Sequence, residues 1–220
     1  IDSLLPGPLV DQGSLLIDSE DDLLLAYKDK LYRYNESSKD YEAIEGKDFE
    51  AFRNQYTHLH QGQRSELIWV GTQSAGLYQW NRKENTLVPF AGPFAELQLN
   101  SPRILCSYED RQGNLWVGTA DGLHKIDLVA NSVLVYSKEN GLPNNFINGL
   151  LSEGDSCLWI STDNGLSRMD LKQGRITNFT KKDGLPANEF NRISFFRSRN
   201  GRMYFGGLNG VTAFYPGPEY

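Results

Sequence analysis

Apolar residues along this chain come in short runs broken by Gly, Asp and Asn. The stretch from Gly113 to Asp127 shows the pattern most clearly. Leu115-Trp116-Val117-Gly118-Thr119 is one run and Leu123-His124-Lys125-Ile126 is the next, with Ala120-Asp121-Gly122 between them. Two β-rich runs joined by a short Asp-Gly connection predict a hairpin. Val, Leu, Ile, Trp and Thr suit a pleated, half-buried surface, and a Gly in the connection supplies positive φ without a Cβ clash.

The stretch recurs at a period of about 45 residues, which for a repeat made only of strands predicts a β-propeller. Its copies are Ile68-Trp69-Val70-Gly71-Thr72 with Gly76-Leu77, Leu158-Trp159-Ile160-Ser161-Thr162 with Gly165-Leu166, and Met203-Tyr204-Phe205-Gly206-Gly207 with Gly210-Val211. A degenerate first copy runs from Leu23 to Leu31. The anchors are Leu24, Trp69, Trp116, Trp159 and Tyr204. The expected fold is all-β, with five four-stranded blades at 9–46, 54–92, 102–138, 145–181 and 189–216, the last lacking its fourth strand. These make one propeller region over 1–220 with no second domain. A propeller commonly completes its last blade with a strand from the other terminus, and Ile1 to Pro8 is too short and Pro-broken for that. The expectation is therefore the C-terminal part of a propeller of roughly seven blades.

Within the third repeat the strands are read as Ile104 to Tyr108, Leu115 to Thr119, Leu123 to Ile126 and Val133 to Tyr136. Asp127 and its equivalents Asn35, Asn81 and Asp170 can each form an Asx-turn that starts the outer hairpin. The large apolar residues before that position (Tyr34, Trp80, Ile126, Met169 and Phe214) are expected between blades, as are the anchor tryptophans. A second recurring segment, Asn140-Gly141-Leu142-Pro143-Asn144-Asn145-Phe146-Ile147-Asn148, returns as Asp183-Gly184-Leu185-Pro186-Ala187-Asn188-Glu189-Phe190-Asn191. It links the outer strand of one blade to the inner strand of the next. Lys47 to Tyr56 and Phe94 to Asn100 could each include a helical turn. Asp18-Ser19-Glu20-Asp21-Asp22 lacks the Gly and the distal Glu of a calcium loop and reads as a solvated turn.

Composition is that of an ordinary globular chain, 39% hydrophobic and 23% charged over 220 residues. A net charge of −6 argues against a phosphate-tracking nucleic-acid binder. No run reaches the length of a membrane span, and Ile1-Asp2-Ser3-Leu4-Leu5-Pro6 is no secretory signal. Cys106 and Cys157 fall at different places in their repeats and read as buried free thiols. His58 and His60 share one strand face but lack a third metal ligand, and His124 holds a variable position. The Gly-x-Ser-x-Gly elbow and the phosphate loop are missing. The carboxylates Asp110, Asp121, Asp127, Asp163 and Asp170 fall in turns, where structure explains them without catalysis. Acid pairs for glycoside cleavage assemble only in three dimensions, so a polysaccharide-active enzyme stays open as an alternative. A protein-interaction scaffold is the other.

Glu109-Asp110-Arg111-Gln112-Gly113-Asn114-Leu115-Trp116-Val117-Gly118-Thr119 with Gly122-Leu123 resembles the two-component regulator propeller repeat. Lys138 to Pro143 and Lys182 to Asn191 resemble its inter-blade linker, and Tyr204 to Val211 with Phe214 and Pro216 its final blade. The likeness runs from about Ser65 to the end. In the first blade Leu24, Ala26 and Lys30 stand where the motif has Trp and two glycines. The resemblance implies the periplasmic input region of a membrane-bound sensor, responding to oligosaccharides and relaying to a cytoplasmic output domain such as a histidine kinase. It implies no enzyme activity, cofactor or metal for this region. Its implied partners are an oligosaccharide, further blades, a β-sandwich and a membrane helix of the same chain, and a second copy in a homodimer. Ligand is expected on the face carrying the linkers and the turns between second and third strands. Asn145, Phe146, Asn148, Asn188, Asn191 and Arg192 are the candidates from the linkers, Gln73, Asp121 and Asn164 those from the turns, and Tyr56 is a candidate aromatic surface.

Overall fold

The computed structural model describes residues 13–46, 49, 56–90, 99–130 and 132–217. Every sheet is antiparallel and runs in chain order. Blade 1 comprises β1 (Gly13–Ile17), β2 (Leu23–Tyr27), β3 (Lys30–Asn35) and β4 (Asp40–Ala43). Blade 2 comprises β5 (Tyr56–Gln61), β6 (Leu67–Thr72), β7 (Leu77–Asn81) and β8 (Thr86–Pro89). Blade 3 holds β9 (Ile104–Glu109), β10 (Asn114–Thr119), β11 (Gly122–Asp127) and β12 (Ser132–Tyr136). Blade 4 holds β13 (Ile147–Glu153), β14 (Cys157–Thr162), β15 (Gly165–Asp170) and β16 (Ile176–Phe179). Blade 5 has three strands among the described residues, β17 (Phe190–Arg197), β18 (Met203–Gly207) and β19 (Gly210–Phe214). The fold is a β-propeller, as the repeat period predicts.

One register position unites the blades. Leu24 pairs with Arg33, Trp69 with Gln79, Trp116 with Lys125, Trp159 with Arg168 and Tyr204 with Ala213. Blade 1 keeps the sheet although its motif has decayed, because an apolar residue at the anchor is enough to fill the layer. The outer hairpins start as the Asx residues predict. Asn35, Asn81, Asp127 and Asp170 each accept the backbone N–H groups two and three residues on. Those donors favour the charged carboxylate and hold Asp127 and Asp170 below the usual range.

Two compact units divide the chain, residues 1–95 with 102–104 and residues 96–101 with 105–220. In the first unit the core gathers Leu24, Leu31, Tyr56, Ile68, Val70, Trp80 and Leu87. Ser14 Oγ accepts the Leu59 N–H at 3.1 Å, tying β1 to β5. The turn at Asp18–Asp22 is not the solvated loop its acidity suggests. Arg82, buried at its guanidinium, reaches Asp18 at 2.5 Å, Asp22 at 2.6 Å and Glu20 at 3.3 Å. Asp18 also accepts the N–H groups of Glu20 and Asp22. A cation supplied from β7's end thus neutralises the turn, which the local sequence alone does not show. The helical turns expected within 47–56 and 94–100 fall almost wholly outside the described residues, as does Ile1 to Pro8.

Among the described residues of the second unit two layers stand out. Cys106, Trp116, Leu123, Ile147, Leu158, Ile160 and Met169 form one layer, between blades 3 and 4. Trp159, Leu166, Phe190, Met203 and Phe205 form the other, between blades 4 and 5. Each anchor indole also meets the aromatic ending its own fourth strand: Trp116 lies 6.0 Å from Tyr136 and Trp159 5.6 Å from Phe179, both stacked. Both cysteines are free and buried, and burial pushes the Cys106 thiol up. The layers are tight enough to dictate residue size. A Cβ on Gly118 would collide with Cys106 Sγ and come within 2.7 Å of Ile147 Cγ2. Gly118→Ala is expected to destabilise by about 1–3 kcal/mol through overpacking. Ser161, at the same register position in blade 4, already carries a Cβ, so Ser161→Ala should cost clearly less. Urea unfolding of the two variants checks the difference.

Candidate functional site at the linker end of the blades

The linkers after blades 3 and 4 each begin with a single capped turn of 3-10 helix. Ser137 precedes Lys138–Asn140, and its hydroxyl accepts the Glu139 N–H while Asn140 Oδ1 accepts the Ser137 N–H at 2.9 Å. Thr180 and Asp183 repeat the box around Lys181–Asp183. These reciprocal bonds satisfy donors that a helix start leaves open. The Thr180 N–H and hydroxyl on Asp183 hold its carboxyl below the usual range. Gly141 and Gly184 end the turns with φ of 101° and 103°, a left-handed conformation that favours glycine. Leu142 then drops into the layer between blades 3 and 4, and Leu185 packs against the next layer.

Two of the predicted site residues serve to lock these linkers. Asn145 Oδ1 accepts the Lys138 N–H at 2.8 Å, its Nδ2 donates to Asp121 Oδ1 at 3.0 Å, and its carbonyl accepts the Gly122 N–H at 2.7 Å. Asn188 repeats every contact, with Lys181 at 2.7 Å, Asn164 at 3.4 Å and Gly165 at 2.7 Å. The linker is thereby clamped to the turn between second and third strands of the preceding blade. That turn is itself braced, since the Thr119 and Thr162 hydroxyls donate to the carbonyls of Gly122 and Gly165 and accept the N–H groups of Asp121 and Asn164.

Asn148 is fully buried at the bulge between Ile147 and Gly149. Its amide donates to Asp163 Oδ1 at 2.7 Å and to the Phe190 carbonyl at 2.9 Å, joining blade 4 to blade 5. It is therefore a coupling residue with no exposed face for a ligand. Asp121, Asn164 and Asn191 are exposed, and Phe146 and Arg192 are half-buried. The structure thus brings together Asp121 with Asn145, and Asn164 with Asn188. Gln73, half-buried, and Tyr56 belong to the first unit. Tyr56 is 2% exposed, so it presents no ring to a ligand. It opens β5 on the inward side, and burial, with Asp29 and Tyr78 adding to it, pushes its hydroxyl up to about 12.

His124 has a role that its sequence position hides. It is fully buried and its Nε2 accepts the Asn100 N–H at 3.0 Å, pinning the segment that enters blade 3. Burial holds its pKa below the ordinary value, so the imidazole is neutral and the accepting nitrogen is available. His58 and His60 do share a face, stacked at 6.3 Å, and burial with His58 beside it pushes His60 down to about 3. Among the described residues no group of three or more potential ligands could hold a metal.

The fold and these repeating clamps define a β-propeller built from one hairpin-and-linker unit. Residues 98–121, in blade 3 and the segment that enters it, match the family model for the two component regulator propeller. The extracellular domain assigned to the hybrid two component system BT3049 of B. thetaiotaomicron superposes with a TM-score of 0.73 at 20% identity, over 94% of this chain and 29% of that one. That of BT4673, from the same organism, gives 0.73 at 17% identity, over 99% and 31%. PorZ, an essential surface component of the type-IX secretion system of Porphyromonas gingivalis, gives 0.65 at 15%, over 91% and 31%. The chain spans about a third of the length of these structures, and at such identity they show the fold. No curated protein matches the chain.

Removing the clamp should loosen the linker. Asn145→Ala is expected to cost about 1–2 kcal/mol, for two side-chain hydrogen bonds lost. Asn188→Ala should cost less, because its bond to Asn164 is longer; chemical denaturation compares them. His124 makes stability fall with acid. Its folded pKa lies below the unfolded one, so its contribution is full above an unfolded pKa of about 6.5 and is lost as pH drops through the folded value. His60 titrates as well, so the readout is the difference between wild type and His124→Gln in melting temperature from pH 7.5 to 4.5. The variant should lose less on acidification; equal losses refute the role.

Proposed function

We propose that this chain is an extracytoplasmic, periplasmic input propeller of a membrane-bound two-component sensor that responds to an oligosaccharide. The observation that carries the reading is the family match at 98–121, which covers β9 and β10 and ends in the turn that clamps the linker. The extracellular domains of BT3049 and BT4673 share the fold and support it. With Asn145, Asn148 and Asn188 committed to the scaffold, the candidates left for a ligand in the second unit are Asn191 and Arg192, together with the ends of Asp121 and Asn164 that the clamps do not use, and Phe146 beside them. Amide and guanidinium groups of this kind suit sugar hydroxyls. Ligand would shift how the propeller sits against further blades, a β-sandwich or a second copy, which needs unequal affinity for the two arrangements.

The test is a thermal-shift screen against plant, algal and host oligosaccharides, with product analysis of every hit. A glycan that raises the melting temperature and stays uncut supports the sensor, and Arg192→Ala should diminish that shift. Cleavage of the glycan moves the protein to the enzymes, and the absence of any shift removes the oligosaccharide.

A further inference from the structure

At the other end of the strands in the second unit, away from the linkers, lies a cavity of about 190 Å³ between blades 3 and 4. Gln112, Asn114, Trp116, Lys125, Leu171 and Lys172 line it, with the carboxylates of Asp110 and Asp155 at its wall.

The charge state of this cavity follows from comparing two repeats. Lys125 and Arg168 are equivalent, each opposite its anchor tryptophan. In blade 4, Glu153 takes the Trp159 indole N–H at 3.0 Å and also binds Arg168, through Nε at 2.9 Å and a terminal nitrogen at 3.2 Å. The bidentate pair closes that position and raises the Arg168 pKa. In blade 3 the indole N–H goes to Asp110, at 2.9 Å. Asp110 is one methylene shorter, and its oxygens are taken up by the Gln112 and Asn114 N–H groups and by Asn114 Nδ2.

Lys125 therefore lacks the carboxylate that Arg168 has. Its ammonium lies 5.4 Å over the Trp116 ring. Among the described residues neither Lys125 nor Lys172 is in an ion pair, while Asp155 is paired with Arg111 at 3.2 Å. The nearby Asp127 and Asp170 carboxylates are held first by the N–H groups of their Asx-turns, and Lys125 and Lys172 act on them only as the last and smallest cause. Among the described residues the Gln112 amide makes no side-chain bond, and Asn114 spends its Nδ2 on Asp110, which leaves its Oδ1 as an acceptor.

We propose that this cavity binds a small hydroxylated carboxylate of about one sugar ring in size, a uronic acid or an acid of like shape. The carboxylate sits between Lys125 and Lys172, hydroxyls meet Gln112 and Asn114, and the carbon skeleton lies against Leu171 and the Trp116 edge. The volume holds one ring and no more of a chain, below the usual range of ligand pockets. The site does not depend on what the linker end recognises.

The experiment is calorimetric titration of the purified protein with glucuronate, glucose and acetate, repeated on Lys125→Gln, Lys172→Gln, Lys125→Arg and Gln112→Ala. Glucuronate should bind saturably with one site. Glucose and acetate should each bind at least tenfold more weakly, and each Lys→Gln variant should lose about tenfold or more. Lys125→Arg should retain most of the affinity. Neither lysine is buried, so unchanged melting temperatures keep the variants interpretable. Acetate binding as tightly as glucuronate overturns recognition of the ring. Glucuronate binding unchanged in both Lys→Gln variants, or no saturable binding, overturns the site. Arg192→Ala leaves this titration unaltered, which separates it from the linker-end reading.

Discussion

A twisted sheet of four short strands cannot bury its own faces, and everything in this chain answers that constraint. Each blade carries one large side chain at the same register position, and the neighbouring blade must cover it. Trp159 is the fullest case: it stacks on Phe179 of its own blade and lies 4.6 Å from Phe214 of the next. Burying an indole also buries its N–H, which has to find an acceptor. Asp110 and Glu153 meet that need in successive blades. The acidic turn residues are thus part of the inter-blade layer and not decoration on the rim. Gly118 shows the other side of the same constraint, because the neighbouring strand comes too close there for a side chain.

Much of this was legible from residue order alone. The spacing of Trp69, Trp116 and Trp159 marks the blades, and the Asn and Asp residues closing the third strands mark the outer hairpins, because both signals are local and repeat. What escaped was non-local. Arg82 neutralises Asp18 across about sixty positions of chain, and nothing in either segment announces the other. Tyr56 has the composition of a ligand platform, yet the side of β5 on which it falls is the core side, and a bulge next to it makes strand parity an unreliable guide. Asn148 misled for the same reason: an Asn in a linker reads as exposed, but it occupies a bulge and faces the next blade.

The linker asparagines teach a sharper lesson about polar residues near a candidate binding face. Asn145 and Asn188 sit where a sugar could meet them, and both ends of each amide are already engaged. A ligand that used them would have to displace bonds that hold one blade's entry to the preceding blade's turn. Such residues suit relaying, because a change at the turn is passed directly to the linker. On the proposed reading, recognition falls to the side chains with spare capacity, among them Asn191 and Arg192, which follow the clamp and lie on the irregular start of β17, where Ile193 has a φ of 58°.

A repeat fold therefore separates its chemistry by position. Residues that recur, such as the anchors, the Asx-turn starters and the linker Asn, are fixed by geometry that every blade shares. Chemistry specific to this chain must come from places where one blade departs from the others. His124 does so by standing where Ser167 stands in blade 4, and it uses the extra reach of an imidazole to hold Asn100. The pair Asp110 and Lys125 does so by replacing Glu153 and Arg168. One methylene fewer on the acid and a point charge in place of a planar fork undo an ion pair and leave a cation facing a cavity. The first substitution is absorbed by structure. The second leaves a cation with no paired carboxylate beside empty volume, and such a cation is what an anionic ligand can use.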